Sequence, residues 1–167
     1  KLEAAVVERG GALFFSQVLV PPEEQGLEGI EQVWALCDLW LQFVERHVLP
    51  GNFFFTGAVF HCAGREGPIP ERITEIVWLW LKALQVAIEK AKSLGELDDS
   101  VDAKRTAMEL NGLLLSAQWC YVTEHEDRTQ ARQAILAKLA SLASDKIPAS
   151  AFESVRTWTK YLEDRHA

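Results

Sequence analysis

One stretch limits the possible folds more than any other. From Leu27 to Val48 apolar side chains recur three and four residues apart, at Leu27, Ile30, Val33, Trp34, Cys37, Leu41, Val44 and Val48. That is the period of an α-helix. Leu36, Leu39, Trp40 and Phe43 widen the stripe until most of the circumference is apolar, and such a helix is buried on more than one side. It needs other helices around it, and the rest of the chain predicts them. A first helix runs from Lys1 to about Leu19, interrupted at Gly10-Gly11 and stopped by Pro21-Pro22, since proline cannot continue a helix. Leu2, Ala5 and Val6 already follow helical spacing, and Lys1 is not an initiator Met. The expectation is a helix begun upstream.

A short helix over about 52–63 follows Pro50-Gly51, and a long one runs from near Pro70 to Leu94. Proline suits its first turn and Gly95 its C-terminal end. Its apolar positions include Ile73, Ile76, Val77, Trp80, Leu81, Leu84 and Ile88, with Trp78 to one side. The Asp98–Asp102 cluster offers N-caps for a fifth helix reaching about Thr123. Asp127-x-x-Gln130 reads as a capping box for a sixth, and Ser150-x-x-Glu153 as a cap for a seventh that carries Trp158 and Leu162. No strand-like alternation of any length occurs. The fold class is all-α, a bundle of six or seven helices with short loops.

Bulk properties exclude several functions. The 167 residues fit one domain, and a net charge of −7 with a pI near 5.1 gives no footprint for nucleic acid or an anionic membrane. The uncharged run Val48–Gly64 is short for a membrane span once Pro50, Asn52 and His61 are discounted. Cys37, Cys62 and Cys120 are scattered, as free thiols in a reducing cytoplasm would be. Adjacent His61 and Cys62 point about 100° apart on a helix, which is poor geometry for a metal. Glu124-His125-Glu126-Asp127 reads as a solvated helix end. No Ser-His-Asp order, Gly-rich phosphate loop or paired acid motif stands out, so neither an enzyme nor a cofactor is expected.

What remains is aromatic. "LPGNFFFTGAVFHC" (49–62) places Phe53, Phe54 and Phe55 in succession, and three consecutive helical residues cannot all face one core. The run is core filler, the wall of a small-molecule cavity, or a partner-docking surface. Trp34, Trp40, Trp78, Trp80 and Trp119 stand on the three long helices. Each is core on its own, yet together they favour an aromatic cavity. The polar residues within apolar runs are His61, Asn111, Ser116 and Gln118. Buried polar groups need partners, so His61, Asn111 and Gln118 are candidate cavity donors and acceptors.

Four pieces then carry a resemblance: "HVLPGNFFF" (47–55), "REGPIPERI" (65–73), "SLGELDDSVDA" (93–103) and "MELNGLLLSAQWCYV" (108–122). In this order and spacing the chain resembles the carboxy-terminal effector-binding and dimerisation domain of the TetR family of bacterial transcriptional regulators, over residues 1–144. The segment 145–167 has no match and reads as a helical extension packed on the same domain. The family's amino-terminal helix-turn-helix domain is absent, and Asn52 and Phe53 stand where many relatives carry Gly and Cys. The resemblance implies a cytoplasmic homodimeric regulator, by family habit a repressor, that reaches operator DNA only through the missing domain. A small hydrophobic or planar effector would alter its DNA affinity.

The candidate effector-binding residues are Trp34, Cys37, Leu41, Phe54, Phe55, His61, Trp78, Leu81, Asn111, Gln118 and Trp119. Family members pair their last two long helices across a two-fold axis. That makes Leu113, Ala117, Tyr121, Ala131, Ile135, Leu139 and Leu142 the candidate dimer interface. The opposing reading is a stand-alone helical module that docks a partner helix through its aromatic surface.

Overall fold

The computed structural model describes residues 2–46, 54–124 and 128–167, with the side chains of 54, 55 and 121–124 left out. Among the described residues every regular element is helical: α1 (Leu2–Phe14), α2 (Val20–Glu24), α3 (Gly29–Glu45), α4 (Phe54–Cys62), α5 (Pro68–Ser93), α6 (Ala103–Glu124), α7 (Thr129–Leu142) and α8 (Val155–Arg165). A π-helical turn, Phe15–Leu19, joins α1 to α2, and a 3₁₀ turn, Ala149–Phe152, precedes α8. The bundle is built on α3 and α5, with α1, α4 and α6 against α5 and α7 against α3 and α6.

The expected stripes are the buried ones. Ile30, Val33, Trp34, Cys37, Leu41 and Val44 on α3 are buried, and so are Ile73, Ile76, Trp80, Leu84 and Ile88 on α5. The first helix departs from expectation. It neither breaks at Gly10-Gly11 nor stops at Pro21-Pro22. Both glycines are buried in a continuous helix, and a Cβ on Gly11 would lie 2.9 Å from Ile76 Cδ1. Gly11 thus lets α1 pack closely on α5. The prolines lack N–H groups, and in an α-helix their rings crowd the carbonyls four residues back. Widening to a π turn, with Val20 N–H donating to Phe15 O, accommodates both, and Pro21 and Pro22 then sit inside α2.

Two caps also fall elsewhere. Ser154, not Ser150, caps the last helix, through a reciprocal box in which Thr157 N–H donates to Ser154 Oγ at 3.1 Å and Ser154 N–H to Thr157 Oγ1 at 2.9 Å. The α7 box at Asp127 lies outside the described residues. Asp102 caps α6 as expected, accepting from Arg105 N–H at 2.8 Å. That bond is the main reason its carboxyl sits below the ordinary aspartate value.

The Gly-Glu-Leu-Asp motif joins the ends of three helices. Gly95 (φ +73°) follows α5 in the left-handed conformation. Gly95 N–H donates to Lys92 O and Glu96 N–H to Ala91 O, both at 2.9 Å. This is the pairing that closes a helix C-terminus on glycine. Buried Glu96 is thereby aimed at the start of α3, where its Oε2 accepts from Ile30 N–H at 2.7 Å. Its Oε1 accepts from Arg165 of α8 at 2.9 Å. Gly29 leaves the room, since a Cβ there would collide with Glu96 Oε2. A carboxylate at a helix N-terminus satisfies a backbone donor and complements the helix dipole. Glu96→Gln keeps the shape and loses the charge, so it should cost about 2 kcal/mol, read as a lower urea midpoint at unchanged m-value.

Candidate effector cavity

A cavity of about 170 Å³ opens between α1, α3, α4, α5 and α6. Each helix contributes by register. Phe14 is the last residue of α1, Trp40 comes from α3, and Thr56, Val59 and Phe60 come from α4. Ile76 and Val77 are neighbours on α5 with Trp80 one turn further on, and Asn111 and Leu115 stand four apart on α6. None of these side chains is charged. Val59 and Phe60, the latter 70% exposed, form the open side. Phe14 is fixed from two directions by edge-on contacts with Phe43 and Trp80, each 5.7 Å between ring centroids.

Two polar contacts span the wall. Trp80 Nε1–H donates to Asn111 Oδ1 at 2.9 Å, giving a buried indole N–H the partner it needs. Thr56 Oγ1 donates to Gln118 Oε1 at 2.8 Å, tying α4 to α6. An apolar cavity of ~150 Å³ remains dry and accepts a benzene-sized guest, so the space here suits one ring with short substituents.

The model of the family described as "Tetracyclin repressor-like, C-terminal domain" matches residues 29–137. The chain belongs to this family. It is therefore a regulatory domain of the TetR type, whose members bind small-molecule effectors and dimerise. No curated protein matches the chain.

In this TetR-like domain the expected effector residues are spread widely. Asn111 lines the cavity, and buried Gln118 touches it through Thr56. Trp34 lies elsewhere, edge-on to Trp158 of α8 at 6.2 Å. Cys37 and Leu41 are wholly buried in the core and do not reach the cavity. Burial, helped by the neighbouring Asp38, pushes the Cys37 thiol up to about 12, so it is inert. His61 is exposed on α4, 3.1 Å from Arg65 Nη1. Trp78 is 59% exposed and lines outer grooves with half-buried Leu81. Trp119 is 65% exposed. Phe54 opens α4 with Phe55 next to it, and both side chains lie outside the described residues.

Trp40 and Trp80 belong to the aromatic set, and Thr56, Val59 and Phe60 to the short helix, that the sequence offers as cavity wall without singling them out, whereas Phe14, Ile76, Val77 and Leu115 carry no such expectation. Trp80 carried a signal. Ile73, Ile76, Trp80 and Leu84 share a single stripe, and Trp78 is about 200° from Trp80 on the same helix, so Trp80 was the inward member.

Of the expected interface residues, Leu113, Ala117 and Ala131 line a cleft of about 150 Å³ between α6 and α7, with Ser116, Cys120 and Ala134. Leu142 is half-buried. Ile135 and Leu139 are fully buried in their own subunit, because α7 turns that stripe toward the core. The Tyr121 side chain lies outside the described residues. Arg132 clamps α7 to α3, donating to Asp38 Oδ1 at 2.6 Å and to Glu45 Oε1 at 2.8 Å. Burial opposes its charge, and these two carboxylates still raise its pKa. Among the described residues no cluster of metal-ligating side chains gathers, and no helix is long and apolar enough to cross a membrane.

Proposed function

We propose that this chain is the effector-sensing and dimerising part of a cytoplasmic TetR-like repressor. A small, uncharged, hydrophobic or planar compound occupies the five-helix cavity, and its binding changes the DNA affinity of a helix-turn-helix head carried ahead of α1. The observation that carries this reading is the position of Phe14. It ends α1 and is at once part of the cavity wall, packed edge-on against Trp80. One turn earlier Gly11 rests on Ile76, another wall residue. A guest that presses on this wall presses on α1. It shifts the helix only as far as it prefers one arrangement over the other.

The cleft between α6 and α7, where Ser116, Ala117, Ala131 and Ala134 stand beside Arg128 and Gln130, supports the second half of the reading, a two-fold pairing of these helices between copies. In the full-length regulator, bound to DNA selected from a random library, a compound that raises the melting temperature of this domain should release the DNA as the cavity saturates. DNA binding indifferent to a saturating cavity ligand would sink the sensing role. Sedimentation of this chain as a monomer at tens of micromolar would sink the dimerising one.

A further inference from the structure

We infer that the cavity selects an uncharged ligand bearing a hydrogen-bond acceptor, held by the side-chain NH₂ of Asn111. This rests on the reading of the cavity as the effector site and adds the chemistry of its occupant. An indole N–H can only donate, so the atom of Asn111 that it meets at 2.9 Å is the carbonyl oxygen. The amide is thereby oriented, and its other end is the NH₂ group, to which the structure gives no partner among the described residues. Asn111 is half-buried in a wall whose other two polar hydrogens, on Thr56 and Trp80, are already given away, which leaves its NH₂ as the donor open to a ligand. A carbonyl, ether or nitro oxygen on the ligand meets it.

The rest of the wall excludes the alternatives. No described lining side chain is charged, so a carboxylate or an ammonium group would lose its hydration without gaining a counter-charge. Thr56 has already given its hydroxyl hydrogen to Gln118 and offers lone pairs only, too little to hold a cation. An apolar compound with no acceptor fits the space and leaves the Asn111 donors unmet. A site built around a polar group rejects the analogue lacking its partner far more strongly than an apolar pocket rejects a missing methylene.

The test uses two molecules of one shape, acetophenone and α-methylstyrene, in which a carbonyl oxygen is exchanged for a methylene. Calorimetric titration of the wild-type chain should give acetophenone a Kd at least tenfold lower, with benzoate and benzylamine giving no heat at concentrations that saturate the ketone. Asn111→Leu should bring the two neutral Kd values together. Asn111→Asp keeps an oxygen for Trp80 and removes the donors, so it should abolish the ketone's advantage with the Trp80 contact intact. Circular dichroism checks that each variant is folded. Equal binding of ketone and alkene to the wild type overturns the acceptor inference and leaves the cavity reading standing. Binding of neither overturns the cavity reading, and the inference with it.

Discussion

Trp158→Ala should lose about 4 kcal/mol of folding stability, the range for deleting a large aromatic from a core. Trp158 is completely buried, stacked between Phe152 at 5.0 Å and Tyr161 at 5.5 Å, with Trp34 edge-on at 6.2 Å. These rings come from the 3₁₀ turn, α8 and α3, so the void would open where the last segment of the chain meets the long central helix. At this chain length the loss corresponds to a fall in melting temperature of roughly 10 °C. The phenylalanine variant separates ring packing from hydrogen bonding. The Trp158 indole N–H is buried without a hydrogen-bond partner among the described residues. Trp158→Phe gives up some area and also removes that unmet donor, so it should cost less than half as much as alanine. Equal losses in the two variants would mean that the N–H does find a partner, and a loss under about 1 kcal/mol for alanine would detach the segment from the core.

Leu115→Trp should abolish ligand binding while leaving the fold intact. Leu115 stands one helical turn beyond Asn111 and lines the same cavity. An indole in its place enters space that is already empty, so little in the surrounding core has to move, whereas overpacking a filled core is costly. The Kd of acetophenone should rise at least ~100-fold, a loss of about 2.7 kcal/mol, with the melting temperature of the unliganded chain shifted by no more than a few degrees. A variant that binds as tightly as the wild type would place the ligand somewhere else, with the outer grooves beside Trp78 the first place to look.

The long helices were legible because each buries one stripe, and a stripe leaves a period in the sequence. The Leu27–Val48 pattern predicted α3, and the side chains it singled out within that helix are buried. Contacts between helices left no such trace. Thr56 and Gln118 lie 62 residues apart, and their bond depends on how α4 is laid across α6, which no local spacing encodes. The same holds for Trp34. An inward tryptophan on α3 could face a cavity or a core, and the choice was made by α8, more than a hundred residues later. Phe14 was missed for another reason. It precedes a π turn, where the period changes, so helical counting from α1 toward Pro21-Pro22 loses its phase.

That turn has a consequence for descendants of this sequence. A π turn is an α-helix holding one residue more than it needs. Loss of a single residue between Phe15 and Leu19 would take away the wide turn that accommodates Pro21 and Pro22 and turn everything before it by about 100°, with a shift of about 1.5 Å along the axis. Val7, Gly10, Gly11 and Phe14, the buried residues of α1, would all leave the face they now occupy, and whatever the helix carries at its other end would be re-aimed by the same angle. In a lineage of such regulators, one codon gained or lost at this point would set the direction in which α1 leaves the bundle and would move Phe14 in the cavity wall with it.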